Sequence, residues 1–250
     1  MKIFETHTHL DDRLFDNDRS EVIERCYDQG VKKMINISCD ALSMQNSIKL
    51  AEKYDFIYAA AGFHPHDAKV LDLNLVRKAA QHPKVVAIGE IGLDYYRNLS
   101  PKNTQIDAFC KQLELAKELK LPVIIHDRDA HEDIMNILLE YTPDKVVFHC
   151  FAGNVSMAEK IIEKGWFISF TGNITYKKSH LPDIVRYVPD HQYFVETDSP
   201  YLSPHPRRGK RNDPSNLRYI LEKIADIKHQ PPKQIAKHTW ENASGFFKLQ

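Results

Sequence analysis

The sequence predicts an α/β protein, a single (β/α)8 TIM barrel spanning residues 1–250 as one domain. Three observations carry that expectation. Short β-branched or aromatic runs alternate with amphipathic stretches from one end of the chain to the other. Several of those runs are almost continuously apolar, the pattern of parallel strands covered on both faces. A length of 250 residues is also the usual size of a closed eight-fold barrel, and no repeat, low-complexity tract or linker breaks it.

The predicted strands, in order, are Lys2–Thr6, Lys33–Ser38, Phe56–Gly62, Val85–Glu90, Pro122–His126, Val146–Cys150, Phe167–Thr171 and Tyr193–Thr197. Helices are predicted between and after them. Arg19–Gln29 follows the polar entry Asn17-Asp18, and Ala41–Lys53 and Asn74–Gln81 come next. Asn103–Leu119 opens after Ser100-Pro101 and sets Ile106, Phe109, Cys110, Leu113 and Ala116 on one stripe at helical spacing. Ala130–Tyr141, Ser156–Lys164, Leu181–Val188, Pro214–Lys228 and Pro232–Leu249 complete the series.

Composition excludes several classes of function. Hydrophobic residues at 42% supply a sizeable core and rule out intrinsic disorder. Lys plus Arg and Asp plus Glu are 34 each, so no global basic field exists to coat nucleic acid or membrane, although a local basic site remains open. The longest apolar run, Phe56 to Phe63, is far shorter than the roughly 18 residues of a membrane span. An early acid, Glu5, and His7 and His9 leave no room for a signal-peptide core. Cys26, Cys39, Cys110 and Cys150 lack C-x-x-C spacing, which suggests neither a disulfide scaffold nor a zinc knuckle. The expectation is a reduced, cytoplasmic protein of enzyme size with no obligate protein partner.

Histidine placement is the informative feature. His7 and His9 follow the first strand two residues apart, so both imidazoles point the same way. Glu90, His126 and His149 end the fourth, fifth and sixth strands, and Asp198 follows the eighth. All lie at C-terminal strand ends, where barrels of this class carry their sites. Taken singly, each has a bland explanation: a surface His-x-His pair, a carboxylate satisfied by backbone donors, a core histidine. Their coincidence at five strand ends, with an inward carboxylate that is costly to desolvate alone, favours a metal centre. Four His, one Glu and one Asp exceed one ion's needs and fit two divalent ions sharing a carboxylate, with Mg, Mn, Zn, Ni, Co or Fe all compatible.

These residues lie within segments that resemble the TatD-related metal-dependent hydrolases, the TatD-type deoxyribonuclease family of the amidohydrolase-like barrels. The matching segments are Thr6-His-Thr-His-Leu-Asp-Asp12, Gly62-Phe-His-Pro-His66, Gly89-Glu-Ile-Gly-Leu-Asp-Tyr-Tyr-Arg97, Pro122–His126 with Arg128-Asp129-Ala130, His149-Cys-Phe-Ala-Gly153 and Glu196-Thr-Asp-Ser-Pro-Tyr-Leu202. They occur in the family's order. The resemblance implies one ion held by His7, His9 and Asp198, another by His126 and His149, and Glu90 as the bridge. A Glu rather than a carbamylated Lys on the fourth strand places the chain with the nuclease-like branch. Two departures stand out: Glu5 where the family usually has Asp, and Ala152 where Ser is common.

The activity implied is phosphodiester hydrolysis of DNA by metal-activated water, trimming single-stranded 3′ ends. Asp198 is the natural proton acceptor, ligation alone being its other role, and Glu90 is its catalytic companion. His64 and Arg97 are expected to contact substrate phosphate by the same resemblance. Arg128 is a further candidate, with a salt bridge to Asp127 or Asp129 as the alternative. The run His205-Pro-Arg-Arg-Gly-Lys-Arg211 reads as an electrostatic collar for a polynucleotide or as a solvated loop, and Tyr95, Tyr96, Phe151 and Tyr201 as base-stacking or packing rings. Cys150 is not taken as a nucleophile, because strand alternation turns it away from the side His149 faces. Two other functions remain open: a metal-dependent esterase or amidase such as a D-aminoacyl-tRNA deacylase, and a non-catalytic binding protein with a vestigial site.

Overall fold

The computed structural model describes residues 1–249. Its strands are β1 (Ile3–Thr8), β2 (Val31–Ile37), β3 (Ile57–Ala61), β4 (Val85–Asp94), β5 (Val123–Arg128), β6 (Val146–Phe148), β7 (Phe167–Phe170) and β8 (Tyr193–Val195). They form one sheet in the order β1 to β8, in which β3–β4, β4–β5, β5–β6 and β7–β8 pair in parallel. Past β8, Ser199 forms a parallel bridge with Thr8 at the end of β1, so the last strand meets the first. Between the strands run α1 (Arg19–Asp28), α2 (Ala41–Lys53), α3 (Leu73–Ala79), α4 (Lys102–Leu119), α5 (His131–Tyr141), α6 (Val155–Glu163) and α7 (Leu181–Tyr187); α8 (Leu217–Lys228) and α9 (Pro232–Phe246) follow β8. This is the (β/α)8 class that the sequence predicts.

Helix starts are written in short polar side chains. Asp40 accepts from the Ser43 N–H while Ser43 Oγ accepts from the Asp40 N–H, a reciprocal cap on α2. Asp72 and Asn154 cap α3 and α6 from one side only, and Pro232 occupies the first turn of α9, where a missing N–H costs nothing. Strands β1 and β4 are buried along their whole length, as parallel strands covered on both faces must be.

The chain divides into two compact units, residues 1–35 with 150–250, and residues 36–149. The first packs Phe4, Ile23, Phe170, Phe194 and Ile224 into its core, with Phe246 of α9 against Phe167 and Phe194 at ring separations of 5.0 and 5.2 Å. The second buries Ile57, Val85, Ile88, Phe109, Leu113, Ile125 and Leu138. Each such side chain contributes about 1.5–3 kcal/mol when fully buried. Among the described residues, no helix is long and apolar enough to cross a membrane.

Three boundaries shift in ways that matter. β1 and β5 run two residues further than predicted, so His7 and His126 lie within strands. β4 runs four residues further, so Glu90 is mid-strand and Asp94 is the terminal residue. α4 buries Phe109, Leu113 and Ala116 of the expected stripe and adds Gln105 and Gln112, while Ile106 and Cys110 are only half-buried. Apolar spacing alone missed these glutamines because they are buried for their hydrogen bonds. Gln112 clamps both backbone groups of Phe63, and Gln105 accepts from the Asp94 N–H and donates to the Asp94 and Ser100 carbonyls.

Candidate metal centre

In the first unit the ends of β1 and β8 are sewn together by side chains. Glu5, fully buried, accepts at Oε1 from the His7 and Thr197 N–H groups and at Oε2 from Thr197 Oγ1 at 2.6 Å. Burial raises its carboxyl well above the ordinary range, against those hydrogen bonds and with the nearby Glu196 adding to the rise. Asp198 takes a left-handed φ of 54°, donates its N–H to the His7 carbonyl, and is followed by Ser199, whose carbonyl accepts from His9 N–H. Thr8 Oγ1 and Ser199 Oγ are 2.7 Å apart.

This stitching gathers three donors. His7 Nε2 and His9 Nε2 are 3.3 Å apart, and Asp198 Oδ1 lies 3.8 Å from the first and 3.4 Å from the second. Ligands at about 2.0–2.1 Å around a tetrahedral ion sit roughly 3.3–3.4 Å from one another, so the set fits a divalent cation with little adjustment. His7 is fully buried and His9 nearly so, while Asp198 keeps 14% of its side chain exposed, leaving access from solvent.

The second unit builds a different cluster around one oxygen. Glu90 Oε1 lies 2.6 Å from His126 Nδ1, 2.8 Å from His149 Nε2 and 3.8 Å from His64 Nε2. Strand register explains the aim of Glu90: the β4–β5 pairing shifts between Ile88 and Ile91, and such an irregularity redirects a side chain. Asp94 Oδ2 then holds His66 Nε2 at 2.8 Å and His126 Nε2 at 3.3 Å. His64 Nδ1 accepts from the His66 N–H, fixing the turn after β3.

Electrostatics follow from this packing. Burial alone would push Glu90 up, but His149, His64 and His126 hold its carboxyl well below the usual range. Burial likewise works against a charged His126, and Glu90 and Asp94 overcome it and raise the imidazole. His64 is lowered, chiefly by burial. A buried carboxylate ringed by imidazoles needs positive charge, which protons or a divalent ion can supply. The oxygen and nitrogen donors of His64, Glu90 and His126 come close enough to share an ion, and His149 joins them at Glu90.

Each predicted ligand therefore lies in one of two clusters: His7, His9 and Asp198 in the first, Glu90, His126 and His149 in the second, with His64 beside the latter. Arg97 gives its main-chain N–H to Asp94 and exposes its side chain. The Arg128 guanidinium lies 4.1 Å over the Tyr96 ring, and Asp127 is held instead by His131 at 2.8 Å. Phe151 is buried and packs, whereas Tyr96 and Tyr201 are exposed. Tyr95 donates to Asp133. Cys150 lies beyond the end of β6 at a positive φ, so strand alternation does not govern it; its Sγ is 3.6 Å from Thr171 Oγ1. Arg211 is committed to Asp18 at 2.8 and 2.6 Å and covers Phe15, which makes the end of the basic run a structural clamp.

Sequence reasoning missed Asp94, Glu5 and Glu196. Glu196 is buried, accepts from the Cys150 N–H at 2.6 Å and lies 3.4 Å from Thr6 Oγ1. The signal for Asp94 lies in Gly-Leu-Asp-Tyr-Tyr, four residues past the end of the predicted strand.

Two clusters of imidazole and carboxylate donors on a (β/α)8 scaffold define the class: a metal-dependent hydrolase. The chain belongs to the TatD-related DNase family, whose sequence profile matches residues 4–248. It is 42% identical to the uncharacterized metal-dependent hydrolase YabD of Bacillus subtilis, covering 99% of each chain. It is 34% identical to the 3′-5′ ssDNA/RNA exonuclease TatD of Salmonella typhimurium, again over 99% of each. Among solved structures, the TatD homologue YJJV of Escherichia coli superimposes with a TM-score of 0.93 at 29% identity, covering 99% of this chain and 98% of that one.

Proposed function

We propose that this hydrolase cleaves phosphodiester bonds of single-stranded DNA, removing nucleotides from the 3′ end, with one divalent ion at His7, His9 and Asp198 and a second at Glu90, His126 and His149. The observation that carries the reading is the donor triad of His7, His9 and Asp198, spaced 3.3–3.8 Å and open to solvent at its carboxylate. The names of relatives such as the Salmonella exonuclease support the choice of bond and polymer. Bound divalent ions would lower the pKa of a coordinated water and offset charge on the phosphate oxygens.

The chain's own residues supply the rest. Asp198 accepts the proton of the attacking water at its carboxylate, as a P–O bond forms and the bond to the leaving sugar oxygen breaks. Glu90 Oε1, 2.6 Å from His126 Nδ1 and 2.8 Å from His149 Nε2, keeps both rings aimed at one point. His64, Arg97 and Arg128 supply the cationic or N–H contacts that a phosphate needs beyond the ions.

The test is nucleotide release from 3′-labelled single-stranded DNA by metal-stripped protein, with Mg, Mn or Zn restored, beside Glu90→Gln. Release should depend on metal and fall at least about 100-fold in the variant, the scale of losing a group that stabilises transition-state charge. A folded, metal-loaded protein that releases nothing moves the reading to ester or amide bonds.

A further inference from the structure

A second feature of the first unit is not used by that chemistry. The segments after β7 and β8 enclose a cleft of about 510 Å³ whose wall includes Tyr176, Lys177, Lys178, His180, His205 and Arg208. Among the described residues, no Asp or Glu lines it. In a chain of zero formal net charge, such a cationic concavity is a local departure from the mean.

The wall is built rather than merely exposed. Gly172 passes so close to the loop after β8 that an added Cβ would lie 2.1 Å from the Leu202 carbonyl oxygen. Thr175 Oγ1 accepts from the His205 N–H at 2.9 Å, a second tie between the two loops. Tyr176 is half-buried and donates its hydroxyl to the Ser203 carbonyl, and the Arg208 guanidinium lies 3.9 Å over its ring. Stacking holds the guanidinium plane while its N–H donors remain available in that plane to a phosphate. The phenol of Tyr176 is raised chiefly by burial and eased by Arg208, with Cys150 and Asp198 raising it further. Lys177 and Lys178 stand exposed at the rim.

We propose that this cleft is a subsite for the internal nucleotides of a single-stranded polynucleotide, with Lys177, Lys178 and Arg208 on the phosphates and Tyr176 against a base. The proposal rests on the phosphodiesterase reading and extends it from the scissile bond to the strand behind it. Its volume lies within the roughly 300–1,000 Å³ of small-ligand sites, room for a nucleotide unit. Aromatic rings beside cations are how single strands are held without reading sequence. The cleft therefore predicts a preference for length over base identity.

The experiment compares the wild-type protein with Lys177→Ala/Lys178→Ala and with Lys177→Arg/Lys178→Arg. Metal-loaded protein is assayed on a dinucleotide and on a thymidylate oligomer of about 12 residues, and metal-stripped protein is titrated with the fluorescein-labelled oligomer by anisotropy over a salt series. In the alanine variant the ratio of kcat/KM on the oligomer to that on the dinucleotide should fall about tenfold. The salt slope of binding should shrink by about 1.4, the value for two single-strand phosphate contacts, and the arginine variant should recover both. An unchanged ratio with an unchanged slope overturns the subsite. Should wild-type protein hydrolyse neither substrate, the phosphodiesterase reading fails, and the subsite is decided by anisotropy alone: lysine-dependent binding upholds it, and absent or lysine-independent binding overturns it.

Discussion

His126 has a carboxylate on each ring nitrogen, Glu90 at Nδ1 and Asp94 at Nε2. Both favour the imidazolium, which is why the ring is raised despite burial. A divalent ion needs the neutral ring, so protons compete with metal at this position. The sign follows: below the raised value His126 is protonated and metal binding is weakened, and affinity rises with pH as the proton leaves. Calorimetric titration with Zn or Mn should accordingly show tighter binding at pH 8 than at pH 6, with proton release that grows as pH falls toward His126's own value. Affinity independent of pH would remove His126 from the ligand set. This competition was only half legible in the sequence. His126 and Glu90 announce themselves by residue type at a strand end, whereas Asp94 enters only because β4 continues through Gly92, a residue an amphipathic or apolar pattern does not extend.

Gly92 shows how an element, rather than a residue, sets the site. Its φ is +143°, and a Cβ there would lie 2.0 Å from the carbonyl oxygen of His126, with which it is paired across β4 and β5. Gly92→Ala should cost about 2–3 kcal/mol in a urea melt, by strain and overpacking together, and should lower metal content by displacing His126. A variant of native stability would mean that the two strands part without penalty. At the other end of the stability scale stands the Arg211–Asp18 pair. Arg211 holds Asp18 below its usual value by a charged hydrogen bond, so the pair stabilises above about pH 4 and its contribution is lost as pH falls through Asp18's lowered value. Because both side chains are about one-third exposed, Arg211→Ala should cost no more than about 0.5–1 kcal/mol at pH 7 and progressively less in acid. Helix positions were legible where caps and apolar spacing agreed, as in α2, whose bounds match the expectation. In α4 apolar spacing finds Phe109, Leu113 and Ala116 but not Gln105 and Gln112, which are inside because they hold backbone groups of other elements.

For the molecule as a whole, ligand binding and stability are one quantity. An ion that binds the native chain at a concentration 100 times its Kd adds about 2.7 kcal/mol. For a chain of this length that is a rise in Tm of roughly 5–10 °C. Thermal scans of metal-stripped protein with Zn or Mn added back should show it, and Glu90→Gln should show distinctly less. An equal rise in the variant would place the stabilising ion away from Glu90. The order of strands was readable from alternation, because apolar runs and caps are local signals. Division into compact units was not, because it depends on which segments distant in sequence pack together. The first unit draws on residues 1–35 and 150–250, while the second is the unbroken stretch 36–149. His7 and His9 come from one segment of the first unit and Asp198 from the other, so their cluster forms only when the two segments pack. The stretch 36–149 holds all of His64, Glu90, His126 and His149 and none of His7, His9 and Asp198. Proteolytic cuts on either side of residues 36–149 would leave the Glu90 cluster on one continuous fragment while parting His7 and His9 from Asp198.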